Sequence, residues 1–205
     1  MRSRGDRHLQ AVRLARELAL LGARLKTIHA VTGLPPRQVQ SLFFPDGLTI
    51  PRGRAPDSVE WFHGANLILR ADACLLGVKY EQLRQQGLAA GDALLCAYRA
   101  YQCVTRTPSR ISMDRAFNVA SYLDGIWLAR EPALSVSHCR HCGCAHLTAI
   151  GTPAVHSNGC PFCRLLERFH HDPRLQVAYR DRSRPLPIDA DRLKAWPQAP
   201  QRRAA

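Results

Sequence analysis

The sequence contains no long run of apolar residues, which argues against a membrane-spanning protein and against a secreted one. Its longest stretch without an acidic or basic side chain is His141 to Cys163, whose glycine, serine, asparagine and histidine content does not suit lipid. Near the start, Arg13, Arg16 and Glu17 interrupt the apolar core that a secretory signal needs. We therefore expect a cytoplasmic protein with no membrane-spanning segment.

Acidic residues are also scarce, and the resulting positive charge is unevenly distributed. The chain has 29 lysines and arginines against 16 acidic residues, a net charge of +13. Residues 1–54 carry 10 basic and 3 acidic side chains, residues 55–138 carry 8 of each, and residues 164–205 carry 10 and 5. Basic ends around a neutral middle favour a polyanionic partner such as nucleic acid. An arginine-rich composition can also reflect a GC-rich genome, so charge alone does not decide the function.

Cysteine is concentrated in one segment, where its spacing is that of a structural zinc site. Two Cys-x-x-Cys pairs, Cys139/Cys142 and Cys160/Cys163, are separated by 17 residues. Each pair forms a tight turn that can direct two sulfurs at one point, and the separation fits the range of about 15–20 residues found in zinc sites with four cysteine ligands. Disulfides would need an oxidising compartment, and a thioredoxin-type site would need only one pair. The segment therefore predicts one structural zinc ion per chain.

The segment offers more than four possible ligands for this metal. Cys144 follows the first pair closely, so it is an alternative ligand, and four histidines lie in the same segment: His138, His141, His146 and His156. The paired spacing favours the four cysteines. Four protein ligands leave no position for a water molecule, and the sequence has neither the His-Glu-x-x-His motif nor the His-x-Glu of nucleobase deaminases. We expect a protein that is not an enzyme.

The segment from Leu25 to Phe43 has the pattern of a helix-turn-helix. Gly33 would form the turn, a proline at 35 or 36 would begin the second helix, and the expected inward positions are Leu25, Ile28, Val31, Leu34, Val39 and Leu42. Arginine and glutamine side chains on the outer face can contact base edges, and arginines in the next loop can contact phosphates. The candidate DNA contacts are Arg37, Gln38, Gln40, Arg52 and Arg54. A plain helical hairpin followed by a solvated linker fits the same pattern.

The remaining pattern indicates a mainly α fold. Helical spacing of apolar residues predicts a helical body over residues 1–133, which includes the helix-turn-helix-like segment 25–43. A small, zinc-ribbon-like module with four cysteine ligands would occupy residues 134–164, and residues 165–205 would form a basic, proline-rich tail. Residues 164–169 could form a brief helix at its start, and the remainder has little to bury and would be disordered. Cys74, Cys96 and Cys103 fall within the helical body, where we expect them to be small core residues.

Four pieces of the sequence, taken in order, resemble the FlhC family of bacterial flagellar transcriptional activators. They are L-G-A-R-L at 21–25, W-F at 61–62, A-Y-R-A-Y at 97–101 and the two cysteine pairs, so the resemblance covers roughly residues 8–164. It implies a helical protein in which Cys139, Cys142, Cys160 and Cys163 occupy the four zinc-ligand positions. It also implies a hetero-hexamer of four FlhD and two FlhC subunits that binds flagellar promoters.

Charge, motifs and resemblance together predict the DNA-binding subunit of a transcriptional activator of flagellar genes. Its expected partners are promoter DNA, FlhD and RNA polymerase. The alternative is a zinc-ribbon adaptor that binds only protein and does not read DNA directly. The two hypotheses predict different effects of salt on DNA binding. Several phosphate contacts would make the DNA affinity of an activator fall steeply with salt, whereas an adaptor would show no such dependence.

Overall fold

Helices make up most of the computed structural model, which describes residues 3–45, 51, 53–105, 109–151 and 159–179. The expected mainly α fold is confirmed. None of the described helices has the length and hydropathy needed to cross a membrane. In chain order the elements are α1 (Arg4–Leu20), α2 (Leu25–Thr32), α3 (Pro36–Phe43), α4 (Glu60–Gly64), α5 (Leu67–Gln85), α6 (Ala90–Val104), α7 (Met113–Asp124), β1 (Leu134–His138), β2 (Ala145–Ala149), α8 (Pro161–Phe169) and α9 (Pro173–Ala178).

Helix α5 is the central element of the fold. Asn66 begins it by accepting a hydrogen bond from the backbone N–H of Leu69 at 2.9 Å, as an N-cap residue does. Its small and apolar residues are buried on several sides, since α4, α6, α7, α8 and both strands pack against it. A helix that is apolar on most faces is an interior helix, and the remaining elements are arranged around it.

Helix α6 corrects the expectation for two of the cysteines. Cys74 in α5 is buried as predicted, but Cys96 and Cys103 in α6 are exposed. They lie seven residues apart, about two helical turns, on the face opposite the one that packs inward. The buried residues of α6 are Ala93, Leu94, Leu95, Ala97, Tyr98 and Tyr101.

The C-terminal helices agree with the sequence-based expectation only in part. The brief helix expected over residues 164–169 lies within α8, whereas residues 173–178, which the sequence pattern assigns to the disordered remainder of the tail, form α9. The apolar residues of this short stretch have a surface to pack on, because α8 lies against α5 and Leu175 of α9 is buried. The rest of the expected tail, residues 180–205, lies outside the described residues.

A buried carboxylate holds the end of α9 to the body. Asp72 is fully buried in α5, where its carboxylate accepts hydrogen bonds from the Tyr101 hydroxyl at 3.1 Å and the Arg110 guanidinium at 3.0 Å. The same guanidinium donates to the carbonyl oxygen of Ala178 at 2.8 Å and lies 5.3 Å from the ring centroid of Tyr179. Arg110 thus links the core to the last described residues.

The turn after α7 requires glycine, which gives a first testable prediction. Gly125 has φ +66°, and a Cβ there would lie 2.8 Å from the backbone nitrogen of Pro132. We expect Gly125→Ala to lower the free energy of unfolding by about 2–4 kcal/mol, because a left-handed residue costs about 1–2 kcal/mol and backbone overlap adds to it. Urea denaturation followed by circular dichroism measures the change.

The matched control for this variant is Gly22→Ala. Gly22 has a similar φ of +77°, but a Cβ there would meet no atom within 4 Å. Only the cost of the left-handed conformation remains, so we expect a loss of about 1 kcal/mol. Equal losses for the two variants would show that the contact with Pro132 does not matter.

Candidate metal centre and DNA-binding segment

The first cysteine pair lies in the turn of the β1–β2 hairpin. The strands pair antiparallel from Leu134 opposite Ala149 to His138 opposite Ala145. Directly beyond the last pair, the N–H of Cys139 donates to the carbonyl of Cys144 at 3.0 Å, and the N–H of Gly143 donates to the carbonyl of Cys139 at 2.9 Å. Gly143 adopts φ +70°, which is the conformation that closes this turn. The turn therefore projects Cys139 and Cys142 from one end of the hairpin.

The second pair lies at the beginning of α8. Cys160 is the residue that precedes the helix, Pro161 is its first residue, and Cys163 follows within the first turn. Proline suits this position because its fixed φ is helical and its missing N–H would have had no helical partner. The N-terminus of a helix also carries a partial positive charge, which favours thiolates over thiols.

The structure brings the four cysteines of the two pairs together. Their Sγ atoms all lie within 4.8 Å of one another, and both the Cys139–Cys163 and the Cys142–Cys160 sulfur distances are 3.7 Å. A tetrahedral zinc site with Zn–S bonds of about 2.3 Å has sulfur–sulfur edges of about 3.8 Å. A disulfide would need about 2.05 Å. The arrangement can therefore hold a tetrahedral metal ion.

The alternative ligands do not join this cluster within the described part of the chain. Cys144 is exposed and belongs to the hairpin, and its carbonyl lies 3.3 Å from Nδ1 of His146. The group of metal-ligating atoms found in the described residues consists of four cysteine sulfurs and includes no histidine nitrogen. His156, which the sequence also offered, lies outside the described residues.

Backbone N–H groups and neighbouring thiols set the protonation of the cluster. The N–H of Cys144 lowers the pKa of the Cys142 thiol to about 6, and the N–H groups of Cys142 and His141 lower the pKa of Cys139. The thiol of Cys142 raises the pKa of Cys163, and burial raises the pKa of Cys160. Four thiolates this close repel one another, so they ionise together only around a cation.

The cysteine module is packed directly on the helical body. Leu147 of β2 is buried in the same hydrophobic core as α5 and α7, and its N–H donates to the sulfur of Cys74 at 3.3 Å. Burial raises the pKa of Cys74 to about 11, so this cysteine stays a neutral thiol. At Gly77 a Cβ would lie only 2.8 Å from Leu147, which explains why this position in α5 has no side chain. The hairpin and α5 thus approach closely.

Helices α2 and α3 form the helical hairpin expected over residues 25–43. Gly33 is left-handed with φ +73°, and its N–H donates to the carbonyl of His29 at 2.8 Å. The hydroxyl of Thr32 accepts from the N–H of Leu34 at 3.2 Å, which fixes the turn. Ile28, Leu34 and Val39 are buried as predicted. Leu42 is 49% exposed and so does not pack inward.

The structure places the candidate DNA contacts as follows. Arg37 and Gln40 are exposed and lie on one face of α3 together with Ser41, whereas Gln38 is half-buried. Arg54 is exposed and forms a 2.6 Å ion pair with Asp57, and this partner raises the pKa of Arg54. Arg52 lies outside the described residues. Of the candidate residues, Arg37 and Gln40 therefore share one exposed face of α3.

A buried polar cluster that sequence reasoning missed holds the helical hairpin in place. Asp114 of α7 is 1% exposed, and its carboxylate accepts hydrogen bonds from the N–H and the guanidinium of Arg24. It also accepts from the hydroxyl of Thr27 at 2.6 Å. The cluster fixes the start of α2 against α7. Acidic residues are common in the first turn of a helix, and Asp114 lies two residues after Ser112. Its sequence position therefore gave no indication that it is buried and bound to Arg24.

Comparisons with known proteins agree on one family. The sequence profile of FlhC, described as a flagellar transcriptional activator, matches residues 6–175. Three curated relatives share the name flagellar transcriptional regulator FlhC. The one from Cupriavidus necator is 29% identical over 139 residues, which cover 65% of this chain and 64% of the relative.

The other two relatives are similar over a larger part of their length. The Yersinia enterocolitica protein is 28% identical over 75% of this chain and 78% of its own length. The Serratia marcescens protein is 28% identical over 75% of this chain and 77% of its own length. The match to the Cupriavidus relative thus spans slightly less than two thirds of that protein.

Proposed function

We propose a DNA-binding role that proceeds from one premise: this chain belongs to the FlhC family of flagellar transcriptional activators. The resemblance stated from the sequence is thereby confirmed, and the family is one of transcriptional regulators. The chain accordingly activates the transcription of flagellar genes. The proposal adds how it does so, which is by binding promoter DNA through its N-terminal helices.

The exposed face of α3 is the observation that carries this proposal. Val39 anchors the helix in the core, while Arg37, Gln40 and Ser41 project together from the opposite side. Arginine and glutamine are the side chains that make paired hydrogen bonds to guanine and adenine edges in the major groove. The second helix of a helix-turn-helix is the one that enters this groove. Arg52 and Arg54 are the proposed phosphate contacts, and Arg54 would release Asp57 when it binds a phosphate.

We also propose that Cys139, Cys142, Cys160 and Cys163 hold one structural zinc ion. The sulfur distances fit a tetrahedral zinc site, and the four ligands are of the type that structural zinc prefers. Zinc there would supply a cross-link between the hairpin turn and the start of α8. The chain's own residues supply the rest of the module, since Leu134 and Leu147 anchor the hairpin in the core.

The proposed partners are FlhD, in a hetero-hexamer of four FlhD and two FlhC subunits, and RNA polymerase. Large apolar side chains on the surface of the N-terminal helices support a protein partner: Leu9 is 69% exposed and Leu20 is 72% exposed. Binding to promoter DNA in a bacterium places the protein in the cytoplasm. The proposed division into a body (1–133), a zinc module (134–164) and a tail stays a prediction.

The first experiment measures binding to a flagellar promoter fragment and to a scrambled fragment across a salt series, with and without FlhD. The proposal expects a steep loss of affinity with salt and a strong preference for the promoter that FlhD increases. A steep salt dependence without preference would leave only a basic DNA-binding protein. If the chain bound neither fragment, with or without FlhD, the result would favour the adaptor that binds only protein.

Arg37→Ala and Gln40→Ala test the role of α3. If each side chain contacts a base edge, each variant should lose about 1–3 kcal/mol of promoter binding, which is roughly 5- to 150-fold in affinity. Binding to the scrambled fragment should change much less. Fluorescence anisotropy at a fixed salt concentration measures both.

Arg130→Ala is the matched control for the loss of one positive charge. Arg130 is exposed in the loop between α7 and β1, outside the helical hairpin. We expect it to leave the preference for the promoter unchanged. An Arg37 variant that weakens binding to both fragments equally and lowers the salt slope by about 1 would make Arg37 a phosphate contact and remove it from base recognition.

A further inference from the structure

An apolar groove of about 770 Å³ lies between α5, α8 and the start of β2. Its lining is made almost entirely of hydrophobic side chains, among them Leu75, Val78, Phe162, Leu165, Leu166 and Phe169. Lys79 and Gln82 of α5 also line it, as its polar members. A volume of this size is within the range of about 300–1,000 Å³ in which proteins bury a bound group.

No described residue covers this groove. Leu166 is 72% exposed and Leu75 is 42% exposed, although both face an apolar surface that could bury them. Contiguous apolar surface of this kind normally marks a contact with another group, because leaving it in water is unfavourable. The groove therefore needs an occupant.

The chain itself leads to the groove. Tyr179, the last described residue, lines it. Arg110 holds the chain at this point through the carbonyl of Ala178 and the ring of Tyr179. The Tyr179 hydroxyl is buried and has no hydrogen-bond partner among the described residues, and burial raises the pKa of this group to about 12. The described chain thus ends at the groove, beside a buried hydroxyl that has no partner among the described residues.

The following sequence has the composition that the groove would take. After the arginine-rich residues 180–184, the segment 186–196 reads L-P-I-D-A-D-R-L-K-A-W, with Leu186, Ile188, Leu193 and Trp196 as its large apolar residues. Seven residues from Tyr179 to Leu186 reach at most about 25 Å, enough to turn back along α8, which is 9 residues long.

The charges of the segment permit this contact as well. Asp189 and Asp191 lie between its apolar residues and are balanced by Arg192 and Lys194, so the segment is neutral overall. The charged side chain that lines the groove is Lys79, whose sign is opposite to that of the two aspartates. A segment with too little apolar surface to fold alone can still become ordered on a preformed apolar groove.

We propose that residues 186–196 of this chain occupy the groove between α5 and α8. In that position the tail is an intramolecular strap. It covers Leu75 and Leu166, and it joins the helix that carries Cys163 to the body. The inference does not depend on DNA binding, so it can fail while the proposed function stands.

The test uses site-specific photo-cross-linking in the full chain with zinc bound. A benzoylphenylalanine replaces Leu166, and after irradiation the intact mass and the cross-linked peptides are measured by mass spectrometry. We expect a cross-link to residues 186–196 at the mass of a single chain, with a yield that does not change on dilution. The control places the same group at Leu20, which is also 72% exposed but lies in α1. It should not reach the tail.

Two variants in the tail make the test specific. Ile188→Asp and Trp196→Asp should each reduce the cross-link from position 166, while circular dichroism and zinc content stay those of the parent chain. A cross-link to a second copy, to FlhD or to a copurified molecule instead of the tail would overturn the proposal. So would a tail cross-link of equal yield from positions 166 and 20, or one that survives both aspartate variants.

Discussion

Replacing Cys160 by serine should remove the metal and unfold the cysteine module. We expect the zinc content to fall from about one ion per chain to a small fraction, since a structural site that loses one thiolate binds zinc far more weakly. Metal binding and folding are coupled in such sites, so the melting temperature should fall by roughly 10 °C or more at about 2–4 °C per kcal/mol for a chain of this size. Elemental analysis and thermal unfolding measure the two effects.

The packing of the module determines how far this unfolding spreads. Leu134 and Leu147 of the hairpin are buried in the core around α5. Loss of the metal should therefore expose amides of β1, β2 and α8 to hydrogen exchange first and weaken the protection of α5 as well. An independent zinc ribbon on a linker would instead lose only its own protection. Treatment with a chelator should reproduce the pattern in the parent chain.

Cys144→Ser is the matched control for the metal site. Cys144 is a hairpin cysteine next to the first pair, but it is exposed and its sulfur is not part of the cluster. We expect its variant to keep a full complement of zinc and its melting temperature. If Cys144→Ser lost the metal or Cys160→Ser kept it, the ligand assignment would be wrong.

The sequence was sufficient for features that depend on local spacing. Two Cys-x-x-Cys pairs can hold one metal ion only if the chain brings the second pair back to the first. Here the first pair lies in the β1–β2 turn, and the second lies beside it at the start of α8. The helical hairpin was also predictable, because Gly33 and the prolines that follow it permit few local conformations. Such features need no knowledge of distant residues.

Features that depend on tertiary partners could not be predicted in the same way. Helical periodicity suggested that Leu42 packs inward, yet in an eight-residue helix Val39 alone is buried and Leu42 remains 49% exposed. Helix α9 was missed because its stability comes from contacts with α8 and with Arg110 rather than from its own composition. The groove beside α8 is likewise a product of three elements that are far apart in sequence.

Charge counting was misleading for a similar reason. The sequence counts Arg24 among the positive charges of the N-terminal region, but the structure pairs it with Asp114, which is 90 residues away. Arg84 is likewise paired, with Asp124 at 2.6 Å, and Arg110 with Asp72 at 3.0 Å. The net charge of +13 already includes these acidic partners, so the pairs do not change it. They do remove three individual arginines from the side chains that can contact DNA, which leaves exposed arginines such as Arg37.

The Asp114 cluster gives the second large expected effect. Asp114→Ala leaves the Arg24 guanidinium and the Thr27 hydroxyl without their shared acceptor in the interior. Removing one partner of a buried ion pair typically costs about 3–5 kcal/mol, and we expect a value near the lower end because the Arg24 side chain keeps 24% of its surface exposed. Urea denaturation of the full chain measures the loss.

Asp57→Ala separates this effect from the general loss of an ion pair. Asp57 also pairs with an arginine, Arg54, at 2.6 Å, but both side chains are largely in water, at 52% and 85% exposure. Solvent screens such a pair, so the urea midpoint should stay unchanged within error. Because Asp114 fixes the start of α2, its variant should also weaken promoter binding at temperatures where the body remains folded. If Asp114→Ala destabilised the chain no more than Asp57→Ala does, the buried cluster would not be what holds the helical hairpin against α7.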